Sequence, residues 1–266
     1  MRHDAGEEPP VRGYAVTHPG GGAVLPQSAG WDQLIYASSG VMTVHTGDGV
    51  WVVPPDRAVW VPAPVPHRIE MAGRTAVRSL YFRTGLVPSL GVPAGEAQRS
   101  PRSGRPGRSA RLPPHCRAVN VAPLLRELIA YAVPRCPLRL TDPAERRLIG
   151  VIIDQLAEAP AAPLRLPRPA DPRARAAAVA LLRQVTIPTI EGVSRRQLER
   201  IFRADTGLTL GQYRERTRLL AALPRLAAGE PVTRVSADVG YATPSAFGAM
   251  FKRVLGVSPT AYFSAQ

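Results

Sequence analysis

The chain has 266 residues and is 45% hydrophobic, which is enough to bury one large core or two ordinary ones. No apolar run is long enough to cross a bilayer, and the first residues lack the pattern of a signal peptide, so we expect a cytoplasmic protein. Cys116 and Cys136 form no CxxC pair, which argues against a disulfide framework or a thiolate zinc site.

The net charge of +14 is unevenly distributed along the chain. Residues 173–266 hold fourteen basic and six acidic side chains, and residues 99–111 hold five arginines and no acid. A basic C-terminal part favours a polyanionic partner, most simply nucleic acid, and a solvated arginine surface is the alternative.

Residues 30–83 carry the pattern of short β-strands. Apolar β-formers alternate with Gly, Pro and Asp at short intervals, which predicts an antiparallel barrel or sandwich. QLIYASS and GVMTVHT are expected as two successive strands, and MTVHTGDGVWVV is the clearest hairpin.

The middle of the chain changes character twice. Residues 93–114 are rich in Arg, Ser, Pro and Gly and are expected to be a disordered insertion. Two amphipathic helices follow; we expect Leu124, Leu128 and Ile129 to mark the buried face of the first, and Leu148, Ile152 and Leu156 that of the second. The proline-rich stretch 159–172 then predicts a domain boundary.

The basic C-terminal part contains two units with the pattern of a helix, a tight turn and a second helix. In the later unit Thr243 is the expected N-cap of a helix that ends at Gly256, and its buried stripe is Phe247, Met250, Phe251 and Val254. Its outward face carries Ser245, Gly248, Ala249 and Lys252.

In the earlier unit Ser194 and Gln197 form a capping-box pattern at the start of a helix. Its outward face carries Arg195, Arg196, Glu199, Arg200 and Arg203. Arginine binds guanine edges or phosphates, so this helix suits both base recognition and anchoring. A helix over residues 210–228, about 28 Å long, separates the units and is close to the ~34 Å repeat of B-DNA.

The segments FRADTGLTLGQYR and VGYATPSAFGAMFKRVLGVSP resemble the AraC-type bacterial transcription regulators, and VPPDRAVWVPAPVPH resembles the cupin-like sensor barrel of one branch of that family. The resemblance implies an α+β chain in which an antiparallel cupin-like β-barrel precedes an all-α domain with two helix-turn-helix units. The implied domains are a sensor at 1–118, a helical connector at 119–172 and a DNA-binding domain at 173–266. The implied DNA-binding residues are those of the two outward faces, together with Ser194 and Thr243.

The chain departs from this family at three places. Little room precedes the first recognition helix, and Pro188 lies in it, so either the helix expected at residues 173–185 replaces the scaffold helix or the first unit is damaged. Pro224 interrupts the linker helix. Gln27 and Ala29 stand where cupin barrels commonly have metal-binding histidines, so we expect no metal and no cofactor.

The function expected from these features is a sequence-specific transcription regulator that binds duplex DNA and is controlled by a small molecule, or by self-association as a homodimer, through the barrel. The expected effector pocket combines Gln33, Tyr36, Trp51, Trp60 and His67, although each could instead pack in the core. The alternatives are a degenerate, non-DNA-binding interaction protein and a cupin-type enzyme. The enzyme would need a ligand cluster or paired carboxylates, and the sequence suggests neither.

Overall fold

A computed structural model describes residues 8–23, 29–86, 112–162, 164–183, 190 and 192–264. Over these residues the N-terminal part is an antiparallel β-fold and the C-terminal part is helical. The strands are β1 (Val11–His18), β2 (Gly21–Ala23), β3 (Trp31–Thr46), β4 (Gly49–Val53), β5 (Arg57–Val61), β6 (His67–Arg83), β7 (Arg117–Asn120) and β8 (Arg165–Pro167). The α-helices are α1 (Pro123–Ala132), α2 (Pro143–Glu158), α3 (Pro172–Arg183), α4 (Arg195–Thr206), α5 (Leu210–Ala227), α6 (Val232–Asp238), α7 (Pro244–Leu255) and α8 (Pro259–Ser264). The expected insertion at 93–114 lies outside the described residues except for residues 112–114.

Strands β3 and β6 are long and pair with each other along most of their length. The first half of β3 also pairs with β5 and its second half with β4, while β6 pairs with β1 at one end and β2 at the other. The two long strands therefore contribute to both halves of a folded sheet, which is the expected barrel-like architecture.

The expectation of two separate strands over residues 33–46 is wrong. β3 runs through this region with register shifts between Ala37 and Ser39 and between Ser39 and Val41. Gly40 has a φ of +76°, and a Cβ there would lie 2.6 Å from the carbonyl oxygen of Arg74. Glycine at this position thus supports a bend within a continuous strand rather than a break.

The two faces of the first half of the sheet pack into different cores. Gln33 and Ile35 point to the barrel interior, whereas Leu34 and Trp60 belong to a second cluster formed with α1 and α2. Alternation along the strand decides this division, because successive side chains point to opposite faces.

Helices α1 and α2 cover the outer face of the sheet. Ile129, Ile152 and Leu156 are buried as expected. The expectation for Leu124 is wrong: its side chain is 53% exposed, and Leu125 takes the buried position. The buried face of α1 is thus rotated by one residue from the face that the sequence pattern favoured.

The linker helix α5 lies at the centre of the helical part and packs against α3, α4, α6 and α8, and also against β3, β6 and β8. Pro224 lies inside α5, and the helix continues past it because the amide of Ala228 donates to the carbonyl oxygen of Pro224 at 3.0 Å. Proline nevertheless lacks the N–H that would bond to the carbonyl of Leu220.

We expect Pro224→Ala to stabilise the protein, because alanine restores this helical hydrogen bond. The free energy of unfolding should rise by up to about 3 kcal/mol, measured from urea unfolding. Pro231→Ala, outside the helices at the N-cap of α6, is the matched control and should change it by less than about 0.5 kcal/mol. An unchanged or lower free energy of unfolding for Pro224→Ala would show that the missing hydrogen bond to Leu220 does not destabilise α5.

Candidate nucleic-acid interface and sensor pocket

The first helix-turn-helix unit is built from α3, α4 and α5. Ser194 caps α4 by accepting a hydrogen bond from the amide of Gln197 at 3.2 Å, and the helix ends at Gly207, whose φ is +73°. Leu198 and Phe202 are buried, and the Phe202 ring meets the edge of Tyr213 with a centroid distance of 4.9 Å.

Helix α3 occupies the position of a supporting helix for this unit. It packs against α4 and α5 and buries Ala174, Ala177 and Ala178. The carboxylate of Asp205 on α4 accepts from the amides of Ala170 and Asp171, at 2.6 and 2.9 Å, just before α3 begins. Of the two alternatives for the first unit, this packing supports a replacement scaffold.

The outward face of α4 borders an open groove toward the start of α5. Arg195, Arg196, Arg200 and Arg203 are exposed on it. Glu199 is half-buried, and its carboxylate accepts from the amide of Leu210 at 3.2 Å, so it holds the first turn of α5. One carboxylate oxygen of Glu199 is thus engaged within the protein, and a contact of this residue with DNA stays a prediction.

Gln197 is a candidate contact that the sequence reasoning assigned only to the helix cap. Its side chain is exposed and lines the same groove. A side-chain amide can form two hydrogen bonds with one adenine base. Its position three residues before Arg200, on the polar side of the helix, is the signal that could have identified it.

The second unit consists of α6 and α7 around a turn at Gly240, whose φ is +85°. Thr243 caps α7 by accepting from the amide of Ala246 at 3.2 Å. The buried side of α7 contains Phe247, Met250, Phe251 and Leu255. The outward side presents Ser245, Ala249 and Lys252, which are exposed, together with the half-buried Gly248.

Three ion pairs join the second unit and the segment just before it to the linker helix α5. Arg253 contacts Glu215 on α5 at 2.8 Å, and Arg225 near the end of α5 contacts Glu230 at 2.6 Å and Asp238 at 2.5 Å. They are exposed or half-buried, so each adds little stability by itself, but together they set the orientation of the second unit on α5.

A cavity of about 180 Å³ opens at one end of the barrel, between the start of β3 and the proline-rich loop from β5 to β6. Gln33 is one of the residues that line it: its amide nitrogen is 3.0 Å from the Tyr81 hydroxyl, and its amide oxygen is 2.9 Å from Nε2 of His67. Nδ1 of His67 lies 3.2 Å from the carbonyl oxygen of Val65. Burial lowers the pKa of His67 and raises the pKa of Tyr81, so both side chains are uncharged at neutral pH.

The five residues expected to form the effector pocket do not line one cavity. Gln33 and His67 are brought together, whereas Tyr36 and Trp60 lie on the opposite face of the sheet, where the Trp60 indole donates to the carbonyl oxygen of Pro113 at 2.8 Å. Trp51 lies in the other half of the barrel, with the Arg165 guanidinium 5.2 Å from its ring centre. Trp31 and Tyr81, which the sequence reasoning did not select, line the cavity instead.

A second depression, of about 320 Å³, lies below the start of β1 and includes Arg83 and Arg139. Elsewhere, His45 contacts Glu70 at 3.1 Å and takes no part in either cavity. Across the described residues, no three His, Cys, Asp or Glu side chains gather where they could hold a metal ion. None of the described helices is long and apolar enough to span a membrane.

Family models match both parts of the chain. A model described as an AraC-like ligand binding domain matches residues 26–157, and one described as a helix-turn-helix domain matches residues 189–265. The HTH-type transcriptional regulator NimR of Escherichia coli K12 is 29% identical over 243 residues, which cover 87% of this chain and 79% of that protein. The chain belongs to the AraC-type transcription regulators.

The regulatory protein SoxS of Escherichia coli K12 is similar to the DNA-binding part alone: it is 36% identical over 72 residues, which cover 27% of this chain and 67% of SoxS. The crystal structure of ToxT from Vibrio cholerae O395 covers 97% of this chain and 98% of its own at 10% identity, with a TM-score of 0.39. The expected fold class, an antiparallel cupin-like domain followed by a helical domain with two helix-turn-helix units, is confirmed.

In this AraC-type regulator the helical part is tied to the barrel by two tyrosine hydroxyls. Tyr213 on α5 donates to the carbonyl oxygen of Pro167 at 3.2 Å, and Tyr262 on α8 donates to that of Pro55 at 3.0 Å. Arg216 on α5 adds a bond of 2.9 Å to the carbonyl oxygen of Arg165. Burial raises the pKa of both tyrosines to about 12.

We expect alkaline pH to weaken the regulator through these two contacts. In the unfolded chain tyrosine ionises near pH 10, whereas in the folded chain these two ionise near pH 12. The stability that the two protonated hydroxyls give to the folded chain is therefore fully present below pH 10 and is lost as the pH rises through 12. The double variant Tyr213→Phe/Tyr262→Phe should lose stability less steeply between pH 10 and 12 in urea unfolding.

The exposed Tyr131 provides a control for the tyrosine-to-phenylalanine replacement itself. Its side chain is 52% exposed, so Tyr131→Phe should keep the free energy of unfolding at neutral pH within about 0.5 kcal/mol of the parent chain. Equal slopes for the parent and the double variant would contradict a role of the two buried hydroxyls.

Proposed function

We propose that this regulator binds specific duplex DNA through α4 and α7 and that a small molecule in the barrel cavity changes its DNA affinity. The supporting observation is that both second helices of the tandem units hold their outward faces open while their other faces are buried. That is the arrangement with which helix-turn-helix proteins place a helix in the major groove.

The two helices would contribute differently. Helix α4 offers four exposed arginines and Gln197, which suit contacts to base edges and phosphates. Helix α7 offers Ser245, Gly248 and Ala249, whose small size allows close approach to the groove, and Lys252 as a phosphate anchor. Helix α4 then supplies most of the specificity, and α7 positions the protein.

The linker helix α5 has a suitable length for this mode of binding. Its eighteen residues span about 27 Å, close to the ~34 Å helical repeat of B-DNA. The contacts of α5 with α4, α6 and the barrel make it a rigid spacer between two successive major grooves.

A second copy of the chain is the partner that we propose for α2. Its outward face carries Arg147, Gly150, Val151 and Asp154 at helical spacing, and Val151 is 42% exposed. Two such helices, packed antiparallel about Val151, would set Arg147 of each copy opposite Asp154 of the other. Sedimentation equilibrium checks this: a Val151→Asp chain that self-associates as the parent does would exclude the face.

The remaining parts of the proposal follow from DNA binding. A protein that acts on bacterial chromosomal DNA works in the cytoplasm, and we propose the same for this chain. Its relatives NimR and SoxS are named as regulators, which favours action by binding rather than by catalysis.

A shift assay tests the proposed function. The full chain is titrated onto DNA from its own promoter neighbourhood at several salt concentrations, with an excess of unrelated competitor. Binding that resists competitor by ~1000-fold or more supports a sequence-specific regulator. Weak binding that is uniform across sequences would instead indicate the degenerate, non-regulatory alternative.

A further inference from the structure

The linker helix α5 turns one side to the barrel and carries arginines on the opposite side. On the barrel side, Arg216 donates to the carbonyl oxygen of Arg165 at 2.9 Å. Two residues along an α-helix correspond to about 200° of rotation, so Arg214 and Arg218 lie on the other side of the helix from Arg216. They share that side because they are four residues apart. The side of α5 that faces away from the barrel is therefore basic.

This basic side of α5 runs from the first helix-turn-helix unit to the second. Gly211, three residues before Arg214, borders the groove that also contains the exposed arginines of α4. Four residues after Arg214, the Arg218 guanidinium lies over the Tyr241 ring, 5.1 Å from its centre, and Tyr241 comes two residues before the N-cap of α7. Arg214 therefore lies between the two helices that we propose to enter DNA.

The charge of Arg214 has no partner among the described residues of the chain. None of them forms a hydrogen bond, an ion pair or a ring contact with its guanidinium group, although its Nε atom is shielded from solvent. The other three arginines of α5 are engaged: Arg216 with a carbonyl oxygen, Arg218 with an aromatic ring and Arg225 with two carboxylates. Withdrawing part of a cation from water costs free energy, which a bound anion would offset.

Duplex DNA would present phosphates at this place. A protein that sets two helices in successive major grooves on one face of the duplex spans the minor groove between them, and the two sugar-phosphate strands border that minor groove. A guanidinium group between the two helices therefore meets phosphate oxygens rather than the base edges of a major groove. Arginine binds such oxygens through two parallel N–H···O bonds.

We propose that α5 is a third DNA-binding element, in which Arg214 binds a phosphate of the backbone between the two major grooves. This inference rests on the proposed function, because α4 and α7 bring the duplex to this side of α5. The contact adds affinity without a preference for sequence and fixes the position of the linker helix along the duplex.

Salt titrations on the full chain measure this contact with two probes, the promoter duplex of the shift assay and a duplex of mixed random sequence. Arg214→Ala should lower the affinity for both by ~10-fold and make the slope of log K against log salt smaller by about 0.9, the value for one lost phosphate contact. Arg214→Lys should keep the slope, because an ammonium group also neutralises a phosphate. A slope in Arg214→Ala equal to that of the parent would overturn the proposal, and so would a loss confined to the promoter duplex.

Arg74→Ala is the matched control for the change in net charge. It removes one exposed arginine from β6 and should keep both the affinity and the slope of the parent. Alanine favours a helix at least as well as arginine, so the thermal midpoint of Arg214→Ala should not fall, and loss of structure is not the expected cause of weaker binding.

Ethylation of single phosphates locates the contact on the promoter duplex. At least one ethyl group between the two major grooves should block binding of the parent and leave binding of Arg214→Ala as it is. Parent binding that tolerates every ethyl group in this stretch would overturn the proposal, even if the variant failed to fold. If the parent shows no specific binding, the proposed function is wrong, whereas the slope on the random duplex still decides the role of Arg214.

Discussion

Gly248→Glu is expected to lower the affinity for specific DNA by at least ~100-fold while the protein stays folded. Gly248 lies among the small residues on the outward face of α7, and a Cβ built on it meets no atom within 4 Å. The fold thus has room for a side chain. A glutamate there would hold α7 away from the groove by its bulk and would place a carboxylate among phosphates. The replacement of a helical glycine by a helix-forming residue also favours folding by about 1 kcal/mol, so loss of structure is not the expected cause.

Two glycine variants control this experiment. Gly248→Ala adds a methyl group without charge and should keep the DNA affinity within ~3-fold while raising the thermal midpoint. Gly47→Glu introduces the same glutamate in the exposed turn between β3 and β4, where a Cβ is also free of contacts within 4 Å, and should leave DNA binding as it is. Shift assays on the three proteins at one salt concentration give the comparison. If Gly248→Glu binds as tightly as Gly47→Glu, helix α7 does not enter DNA.

The DNA-binding helices could be predicted in detail because their signals are local. Ser194 and Thr243 cap the helices where the sequence indicated, and the left-handed Gly207 and Gly256 end them. Caps, glycine stops and helical spacing act within a few residues, so the chain around each helix is enough to predict it. Glu199 differs because its partner is the amide of Leu210 on the next helix. Spacing alone cannot show which polar residue of an outward face bonds to another helix.

The sensor cavity was harder to predict, for a related reason. Aromatic residues were expected to wall the pocket, yet Trp60 packs against the helices on the far side of the sheet. The sequence alone indicates that Gln33 and Tyr36 cannot line the same pocket. They are three residues apart on one strand, so their side chains lie on opposite faces of the sheet. The pairing of β3 with β5 and β6 was not accessible, and it is this pairing that brings Tyr81 and His67 to Gln33. A pocket built from distant strands depends on register, which local pattern does not specify.

The double variant Arg196→Ala/Arg200→Ala tests which helix recognises the DNA sequence. Both side chains are exposed and lie four residues apart, so they share one face of α4. If they contact base edges, each contributes about 1–3 kcal/mol of discrimination, and the ratio of specific to competitor affinity should fall by roughly 30-fold or more. The affinity for competitor DNA should fall much less.

The alternative role of these arginines gives a different result. If they hold phosphates only, the affinity for all sequences falls together, and the slope of log K against log salt becomes smaller by about 1.8. Arg74→Ala/Arg146→Ala, which removes two exposed arginines from the barrel and from α2, controls for the change in net charge. We expect α4 to supply specificity because the outward face of α7 offers few groups that tell one base pair from another, whereas α4 offers guanidinium groups and an amide. An unchanged ratio of specific to competitor affinity in the Arg196→Ala/Arg200→Ala chain would contradict this. It would indicate that α7 recognises the bases.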